Sequence, residues 1–221
     1  MKLFLNAIIK FILGILLVGL LIFIPAGTIT YINGWLFIIL LFVPMLIFGI
    51  YLYIKKPKLL ERRLNNKEKE NTQKVVVLLS AIIFISGFIV SGLDYKNKWS
   101  NVPNYIVIIA SIILLIGYYL YIKVMIQNEY LLRTIEVEKE QKLIDTGLYS
   151  IVRHPMYFSV LLIFLSIPLI LGSLYGFYIF LVFPIVLIIR IKNEEKILLK
   201  ELPGYSKYKF KVKYKLIPYI W

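Results

Sequence analysis

The chain has 221 residues, of which 60% are hydrophobic and 17% are charged, and its mean hydropathy is +0.83. Soluble domains have roughly 45–50% apolar and ~25% charged residues, and a chain of this length cannot bury so large an apolar excess in one core. The composition therefore excludes soluble enzyme folds and predicts a membrane protein. The absence of cysteine excludes disulfides and thiolate sites, and the one histidine excludes a histidine cluster, so we predict no metal site.

Uncharged runs predict where the chain crosses the membrane. Residues 11–54 are 44 consecutive residues without a formal charge, enough for two helices of about 20 residues each with a turn at 25–33. Three further uncharged runs cover residues 75–93, 99–122 and 155–189. The last run is interrupted at 171–174, which predicts a helical hairpin. We predict an all-α, polytopic membrane bundle of about six transmembrane helices, near residues 11–29, 34–54, 75–93, 103–125, 156–171 and 174–191.

The distribution of basic residues predicts the orientation. Of the 26 Lys and Arg residues, 24 fall on one side of the predicted helices, and only Lys96 and Lys98 fall on the other. The positive-inside rule then places both termini and both long loops in the cytoplasm, N-in and C-in. A cleaved signal peptide at residues 1–24 is an alternative. An uncleaved first helix is favoured because no small-residue cleavage site follows Ile24 and Lys10 interrupts the apolar run.

The basic residues that produce the net charge of +14 lie beside the apolar spans. We therefore expect them to bind anionic lipid headgroups, and we expect no nucleic-acid partner. The frequent Lys, Ile and Asn residues favour a multi-pass protein of a prokaryotic plasma membrane; in a eukaryote the endoplasmic reticulum membrane is expected. The loop at residues 55–74 contains residues that favour exposure, among them Asn71 and Gln73. It is predicted to be a solvated cytoplasmic loop without a chemical role.

Two polar clusters, residues 141–157 and 190–195, flank the predicted hairpin, which should bring them together. Pro155 suits the first position of a helix and places His154 at its cap. The N–H groups of Met156 and Tyr157, together with Arg153, would then form a site for a carboxylate or phosphate. The alternative, which the local sequence favours slightly, makes Arg153 a membrane-surface anchor and His154 a simple cap.

Arg190 and Glu194 are four residues apart on one predicted helix, so they share a face at the membrane boundary. Arg before Glu is the weaker order for helix stabilisation, which favours a functional role, although an exposed anchor is the alternative. The planar guanidinium of Arg190 suits a substrate carboxylate. Glu195 is predicted to point to another side of the helix.

Spaced motifs occupy the second half of the chain, and the most specific is Arg153-His154-Pro155-Met156-Tyr157. The other motifs, in chain order, are Trp99-Ser100, Val102-Pro103, Asn128, Thr146-Gly147-Leu148-Tyr149, Arg190-x-x-x-Glu194-Glu195-x-x-Leu198, Gly204-Tyr205-x-x-Tyr208 and Ile217-Pro218. In these motifs, residues 99–218 resemble the isoprenylcysteine carboxyl methyltransferase family, integral membrane enzymes that use S-adenosyl-L-methionine and are related to phospholipid N-methyltransferases.

The resemblance implies roles for individual residues. It makes Arg190 the residue that holds a substrate carboxylate, and Glu194 a catalytic residue that also contacts the cofactor. The cofactor-binding residues that it implies are Gln141, Lys142, Leu143, Ile144, Tyr149, His154, Pro155, Met156, Tyr157 and Glu194. Family members can carry His where this chain has Gln141. The chain then divides into residues 1–98, whose substrate side is undefined, and a methyltransferase-like membrane domain at 99–221.

The implied reaction moves a methyl group from S-adenosylmethionine to a lipophilic small-molecule or lipid-anchored acceptor. An acceptor carboxylate is favoured; in the alternative, a phospholipid-type N-methyltransferase, Glu194 or Glu195 would take the proton of an amine. An NADPH-dependent sterol-type reductase and a non-catalytic protein are further alternatives, although such reductases typically have Asn where this chain has Met156. The acceptor and the oligomeric state are left open.

The tail at residues 207–216 alternates Lys with apolar and aromatic residues, which by itself indicates a strand. The resemblance instead implies a cytoplasmic helical segment that covers the cofactor. A third alternative is a basic, aromatic segment that lies on anionic lipid. Tyr205 and Tyr208 are predicted to pack rather than to catalyse.

Overall fold

A computed structural model describes residues 2–64, 70–131, 137 and 141–221, and within them the regular structure is helical, without strands. The predicted all-α fold is confirmed. A single 3₁₀ turn, Gly147–Ser150, precedes α6. The helices are α1 (Lys2–Ala26), α2 (Ile32–Lys55), α3 (Pro57–Leu64), α4 (Asn71–Asn97), α5 (Asn104–Gln127), α6 (Pro155–Ile170), α7 (Leu174–Phe180), α8 (Phe183–Glu201) and α9 (Tyr205–Lys211).

Five segments of the described chain are long and apolar enough to cross a membrane: α1, α2, α4, α5 and the run from Leu174 to Glu201. The sixth apolar helix, α6, has only 16 residues, about 24 Å at 1.5 Å per residue. The multi-pass membrane architecture is confirmed, while the count of six spans and the N-in, C-in orientation stay predictions.

The predicted helix at residues 174–191 differs from the structure. It is divided into α7 and α8, and α8 continues to Glu201, so that Arg190 and Glu194 lie inside a helix rather than at its end. The division falls beside Pro184, which lacks the N–H that would bond to the carbonyl four residues earlier and which suits the first turn of a new helix.

Small residues bring the helices close together. A Cβ atom on Gly117 of α5 would lie 2.8 Å from a side-chain carbon of Ile163 on α6, and one on Gly92 of α4 would lie 2.5 Å from the carbonyl oxygen of Ile22 on α1. Such close backbone approach is the usual way in which membrane helices gain packing energy. The resulting core contains Ile22, Phe37, Phe88, Leu114, Ile163, Ile167 and Phe180.

A buried carboxylate holds the turn between α6 and α7. Asp94, at 1% exposure, accepts hydrogen bonds from the backbone N–H and the hydroxyl of Ser100, at 2.7 and 2.6 Å, and from the hydroxyl of Ser173 at 2.5 Å. The Ser100 hydroxyl oxygen in turn accepts from the backbone N–H of Leu174 at 3.0 Å. The hairpin is thereby fixed to α4 at the end opposite the polar clusters.

The basic tail forms a helix and then an extended run. Residues 207–211 belong to α9, so the strand that their alternation indicates is wrong there, and the helix implied by the resemblance is present. The chain then runs beside the start of α6, where the N–H groups of Arg153 and His154 donate to the carbonyls of Tyr214 and Lys215 at 3.0 and 2.8 Å. Tyr205 and Tyr208 are one helical turn apart and are both buried, so burial in α9 follows the helical period. The alternation of Lys with apolar residues therefore does not produce a strand there.

Candidate active site

The two polar clusters meet in one pocket at the start of α6, as the hairpin predicts. The pocket contains about 830 Å³ of space, part of it open to solvent. Its walls come from the start of α6, the middle of α8, α9 and the irregular segments before the 3₁₀ turn. All the residues singled out from the sequence line it, namely Gln141, Lys142, Leu143, Ile144, Tyr149, His154, Pro155, Met156, Tyr157, Arg190 and Glu194.

The segment between α5 and the 3₁₀ turn contributes one wall of the pocket. Gln141, Leu143 and Ile144 are half-buried, whereas Lys142 is exposed. Leu143 and Ile144 pack against the apolar cluster that also includes Tyr149 and Tyr208. Part of this segment, residues 132–136 and 138–140, lies outside the described residues.

Tyr157 connects Arg190 to Glu194. Its hydroxyl donates to Oε2 of Glu194 and accepts from Nε of Arg190, the latter at 2.8 Å. The guanidinium carbon also lies 5.7 Å from the centre of the Tyr157 ring. Arg190 and Glu194 thus occupy one side of the pocket, as their spacing predicts. The sequence did not reveal that a tyrosine from α6 bridges them.

Gln73 of α4 also contacts Arg190, although its position in the sequence predicts a solvated loop. Its side chain is fully buried, and its Oε1 accepts from Nη1 of Arg190 at 3.0 Å. The helix α4 begins at Asn71 rather than near residue 75, so the helical period turns Gln73 and Val76 inward. The predicted exposure of Gln73 is therefore wrong.

Arg153 is buried in an ion pair and does not face the pocket as a free cation. Its Nε lies 2.6 Å from Oε1 of Glu195, and its Nη1 donates to the carbonyls of Val212 and Lys213 at 2.6 and 2.8 Å. Both side chains are nearly inaccessible, and a charge so placed is tolerated only when it is paired. The exposed membrane-surface anchor is therefore wrong for Arg153, whose charge is paired with Glu195 at the wall of the pocket.

Glu195 contacts a cluster of basic groups, and these contacts join α8 to the tail. Besides Arg153, the carboxylate has Nζ of Lys215 at 3.3 Å and Nε2 of His154 at 3.4 Å, and it accepts from the hydroxyl of Tyr205 at 3.4 Å. The sequence places Glu195 on another side of α8 than Glu194, which the structure confirms. Its structural role in holding the tail was missed, because the partners are far apart in the chain.

The first turn of α6 differs from the expected anion site. His154 occupies the cap position, but its side chain makes no capping hydrogen bond; it is buried, with Nδ1 3.9 Å from Oε1 of Glu194. The imidazole ring stacks on Tyr157 at 5.7 Å. The N–H of Tyr157 donates to the carbonyl of His154 at 3.1 Å, so it is not unpaired as expected. Helix starts often tighten in this way.

The 3₁₀ turn is locked onto the end of α5. The side chain of Gln127 donates to the carbonyl of Thr146 and accepts from the N–H of Leu148 at 3.3 Å. Gly147 between them has φ +54°, and a Cβ there would lie 2.5 Å from Nε2 of Gln127. The left-handed φ and the nearby side-chain amide both favour glycine at this position.

Three buried tyrosines connect the turn, α9 and the pocket wall. The Tyr149 hydroxyl accepts from Nδ2 of Asn128 at 2.9 Å, while its carbonyl accepts from the hydroxyl of Tyr208 at 2.7 Å. Burial raises the pKa of Tyr149, Tyr205 and Tyr208 above the usual value, and for Tyr205 the neighbouring Glu195 raises it further. Neutral phenols suit packing and hydrogen-bond donation, the role predicted for Tyr205 and Tyr208.

Comparison with known protein families gives a match. Residues 105–204 match the family model described as phospholipid methyltransferase, which covers the isoprenylcysteine carboxyl methyltransferase-like enzymes that the sequence resembles. The resemblance is thereby confirmed. The matched range contains α5 to α8 and all the pocket residues singled out from the sequence, and it supports a membrane methyltransferase. No curated protein matches the chain.

Proposed function

From the match of residues 105–204 to the phospholipid methyltransferase family, we propose that this membrane protein transfers a methyl group from S-adenosylmethionine to the carboxylate of a lipophilic acceptor. The observation that carries the proposal is the linked group of Arg190, Tyr157 and Glu194 on one side of the pocket. It combines a cation for an acceptor anion with a carboxylate for a cationic cofactor.

The chemistry of the pocket lining suits S-adenosylmethionine. Apolar side chains suited to an adenine ring line one part of it: Leu143, Ile144, Met156, Leu198 and Leu202. Glu194, with a side chain 20% exposed, supplies a carboxylate for the ammonium group or the ribose hydroxyls. The imidazole of His154 lines the pocket as well, with its Nε2 3.4 Å from Oε1 of Glu195.

The chain's own residues have a positioning role in the proposed reaction. When bound, S-adenosylmethionine supplies an electrophilic methyl group on a sulfonium sulfur. Arg190 holds the acceptor carboxylate and Glu194 holds the cofactor, and Tyr157 fixes these two side chains relative to each other. A carboxylate with a pKa near 4 is already ionised at neutral pH, so no residue has to remove a proton. Correct placement of the two reactants then supplies most of the rate enhancement.

An amine acceptor, as in phospholipid-type N-methylation, is the second candidate, and the description of the matched family favours it. The amine would have to lose a proton, and Glu194 is the carboxylate among the described pocket residues that could accept it. Arg190 argues for the carboxylate, because a guanidinium repels an ammonium and pairs well with carboxylate oxygens.

Calorimetric titration of S-adenosylhomocysteine into the detergent-purified protein tests the cofactor assignment. We expect saturable binding to the wild type, loss of binding in Glu194→Ala, and retention in Arg190→Ala. The absence of binding to well-folded wild-type protein would refute the methyltransferase proposal, and the same sample should then be titrated with NADPH.

Transfer of a tritiated methyl group to membrane lipid extracts distinguishes the two acceptors. A methyl ester releases volatile methanol on alkaline hydrolysis, whereas an N-methyl group does not. We expect label that base releases as methanol, and its loss in Arg190→Ala. Base-stable label would favour the amine.

A further inference from the structure

The burial of Gln73 is unexpected for a polar residue at the start of a helix. Asn71 and Lys74, its neighbours in the first turn of α4, are exposed, whereas Gln73 has no exposed surface. Gln73 lies outside residues 105–204, so it belongs to the part of the chain for which neither the motifs nor the family match gives a role. Its position therefore needs a separate explanation.

Gln73 and Tyr157 hold Arg190 from two helices. Oε1 of Gln73 accepts from Nη1 of Arg190 at 3.0 Å, and the hydroxyl of Tyr157 accepts from Nε at 2.8 Å. A guanidinium is a rigid planar fork, so contacts to two of its nitrogens fix the plane in which it presents its donors. These two side chains are uncharged, and they fix the orientation of the guanidinium.

Two inaccessible amide nitrogens, one on the Gln73 side chain that contacts Arg190 and one on Asn193 of α8, have no acceptor among the described residues. Nε2 of Gln73 and Nδ2 of Asn193 make no hydrogen bond to any of the described residues. Asn193 lies three residues after Arg190 on α8, and residues at this spacing are neighbours on a helix surface. The great majority of buried polar groups in native proteins are paired, and an amide N–H can be satisfied only by an acceptor.

The surroundings of Gln73 are apolar. Val76 and Ile83 follow it on the buried side of α4, and they belong to one cluster with Phe183, Val186 and Leu187 of α8. A ligand group at this contact would therefore meet N–H donors and a guanidinium beside Arg190, and hydrocarbon along the helices. This combination matches an anionic headgroup attached to an apolar chain.

We propose that Gln73 is a positioning residue for the methyl acceptor, which places the acceptor's anionic group between α4 and α8. Oε1 of Gln73 fixes the plane of the Arg190 guanidinium, and its Nε2–H donates to a carboxylate oxygen of the acceptor, with Asn193 as a second donor. This inference rests on the proposed carboxylate methyltransferase function. The two amide donors and the guanidinium require an anionic oxygen on the acceptor, and the carboxylate of the proposed acceptor supplies it.

Radiolabelled dodecanoate is a suitable probe, with binding measured in nonionic detergent in the presence of S-adenosylhomocysteine. We expect saturable binding that excess unlabelled dodecanoate displaces and dodecyltrimethylammonium does not. Gln73→Leu keeps the side-chain volume but removes both polar atoms, and it should weaken dodecanoate binding about 10-fold, or ~1.4 kcal/mol. Gln73→Glu keeps the shape but places an anion beside Arg190, and it should abolish dodecanoate binding.

The controls separate this inference from the proposed function. Asn71→Leu, in the same helical turn but exposed, should bind dodecanoate as the wild type does, and all three variants should bind S-adenosylhomocysteine within twofold of the wild type. Wild-type dodecanoate affinity in Gln73→Leu would overturn the inference. If Gln73→Leu also loses S-adenosylhomocysteine binding, the isosteric variant Gln73→Glu becomes the test. Unchanged dodecanoate binding in Gln73→Glu would then overturn the inference. A wild type that binds S-adenosylhomocysteine but not dodecanoate overturns the acceptor assignment alone.

Discussion

Removing one oxygen atom from Tyr157 tests the arrangement that links the two halves of the pocket. Tyr157→Phe deletes the hydroxyl that accepts from Arg190 at 2.8 Å and donates to Glu194. The ring, which packs against the apolar cluster of α4 and α8, is retained. The substitution should therefore leave the fold intact and release the two charged side chains from each other.

The hydrogen bonds themselves set the expected magnitude. A hydrogen bond to a charged group contributes about 1.5–3 kcal/mol, so two of them sum to at most ~6 kcal/mol. The Glu194 side chain is 20% exposed, and water can replace part of what it loses. We therefore expect a loss of about 3 kcal/mol, which corresponds to ~100-fold in kcat/KM at ~1.4 kcal/mol per factor of ten.

The assay follows methyl transfer at low acceptor concentration, together with calorimetry of S-adenosylhomocysteine. We expect the loss to be divided between weaker cofactor binding through Glu194 and slower transfer through Arg190. Tyr178→Phe, at a residue 65% exposed on α7, is the matched control and should behave as the wild type. Activity and cofactor affinity of Tyr157→Phe within twofold of the wild type would refute the proposed role of this hydroxyl.

Three further substitutions test the framework around the pocket. Asp94→Ala leaves three donors without their acceptor, one buried on Ser173 and two partly buried on Ser100, so we expect a loss of about 3–5 kcal/mol, measured as a lower Tm in detergent. An unchanged Tm would contradict the role given to the carboxylate. Arg153→Met leaves Glu195 with Lys215 as its cationic partner, so we expect a loss of about 3 kcal/mol in folding stability and faster proteolysis after the lysines of the tail. Protease resistance equal to that of the wild type would argue that Arg153 does not hold the tail. Gly147→Ala forces a Cβ against the side-chain amide of Gln127 at a backbone φ of +54°. It should weaken S-adenosylhomocysteine binding about 10-fold in a calorimetric titration. An affinity equal to that of the wild type would show that the turn tolerates a side chain.

The sequence by itself determined the helical membrane architecture and the set of residues around the pocket. Hydropathy and charge act locally: a run of about 20 uncharged residues has to satisfy its backbone hydrogen bonds within the bilayer, and a helix does so whatever its neighbours are. The interruption at residues 171–174 made a hairpin, and chain segments of similar length on either side of it brought Tyr157 to the level of Arg190 and Glu194.

Only the tertiary structure decided which charged and polar groups meet. Arg153 pairs with Glu195, 42 residues later, and Arg190 bonds to Gln73, 117 residues earlier. Sequence spacing does not define such partners, because they depend on how helices pack side by side and on which side each helix turns inward. A buried charge or amide requires a partner, so burial determines the role of such a residue. Arg153, which the sequence presents as a free cation, is a paired structural group, and Gln73, which the sequence places in a surface loop, contacts the site.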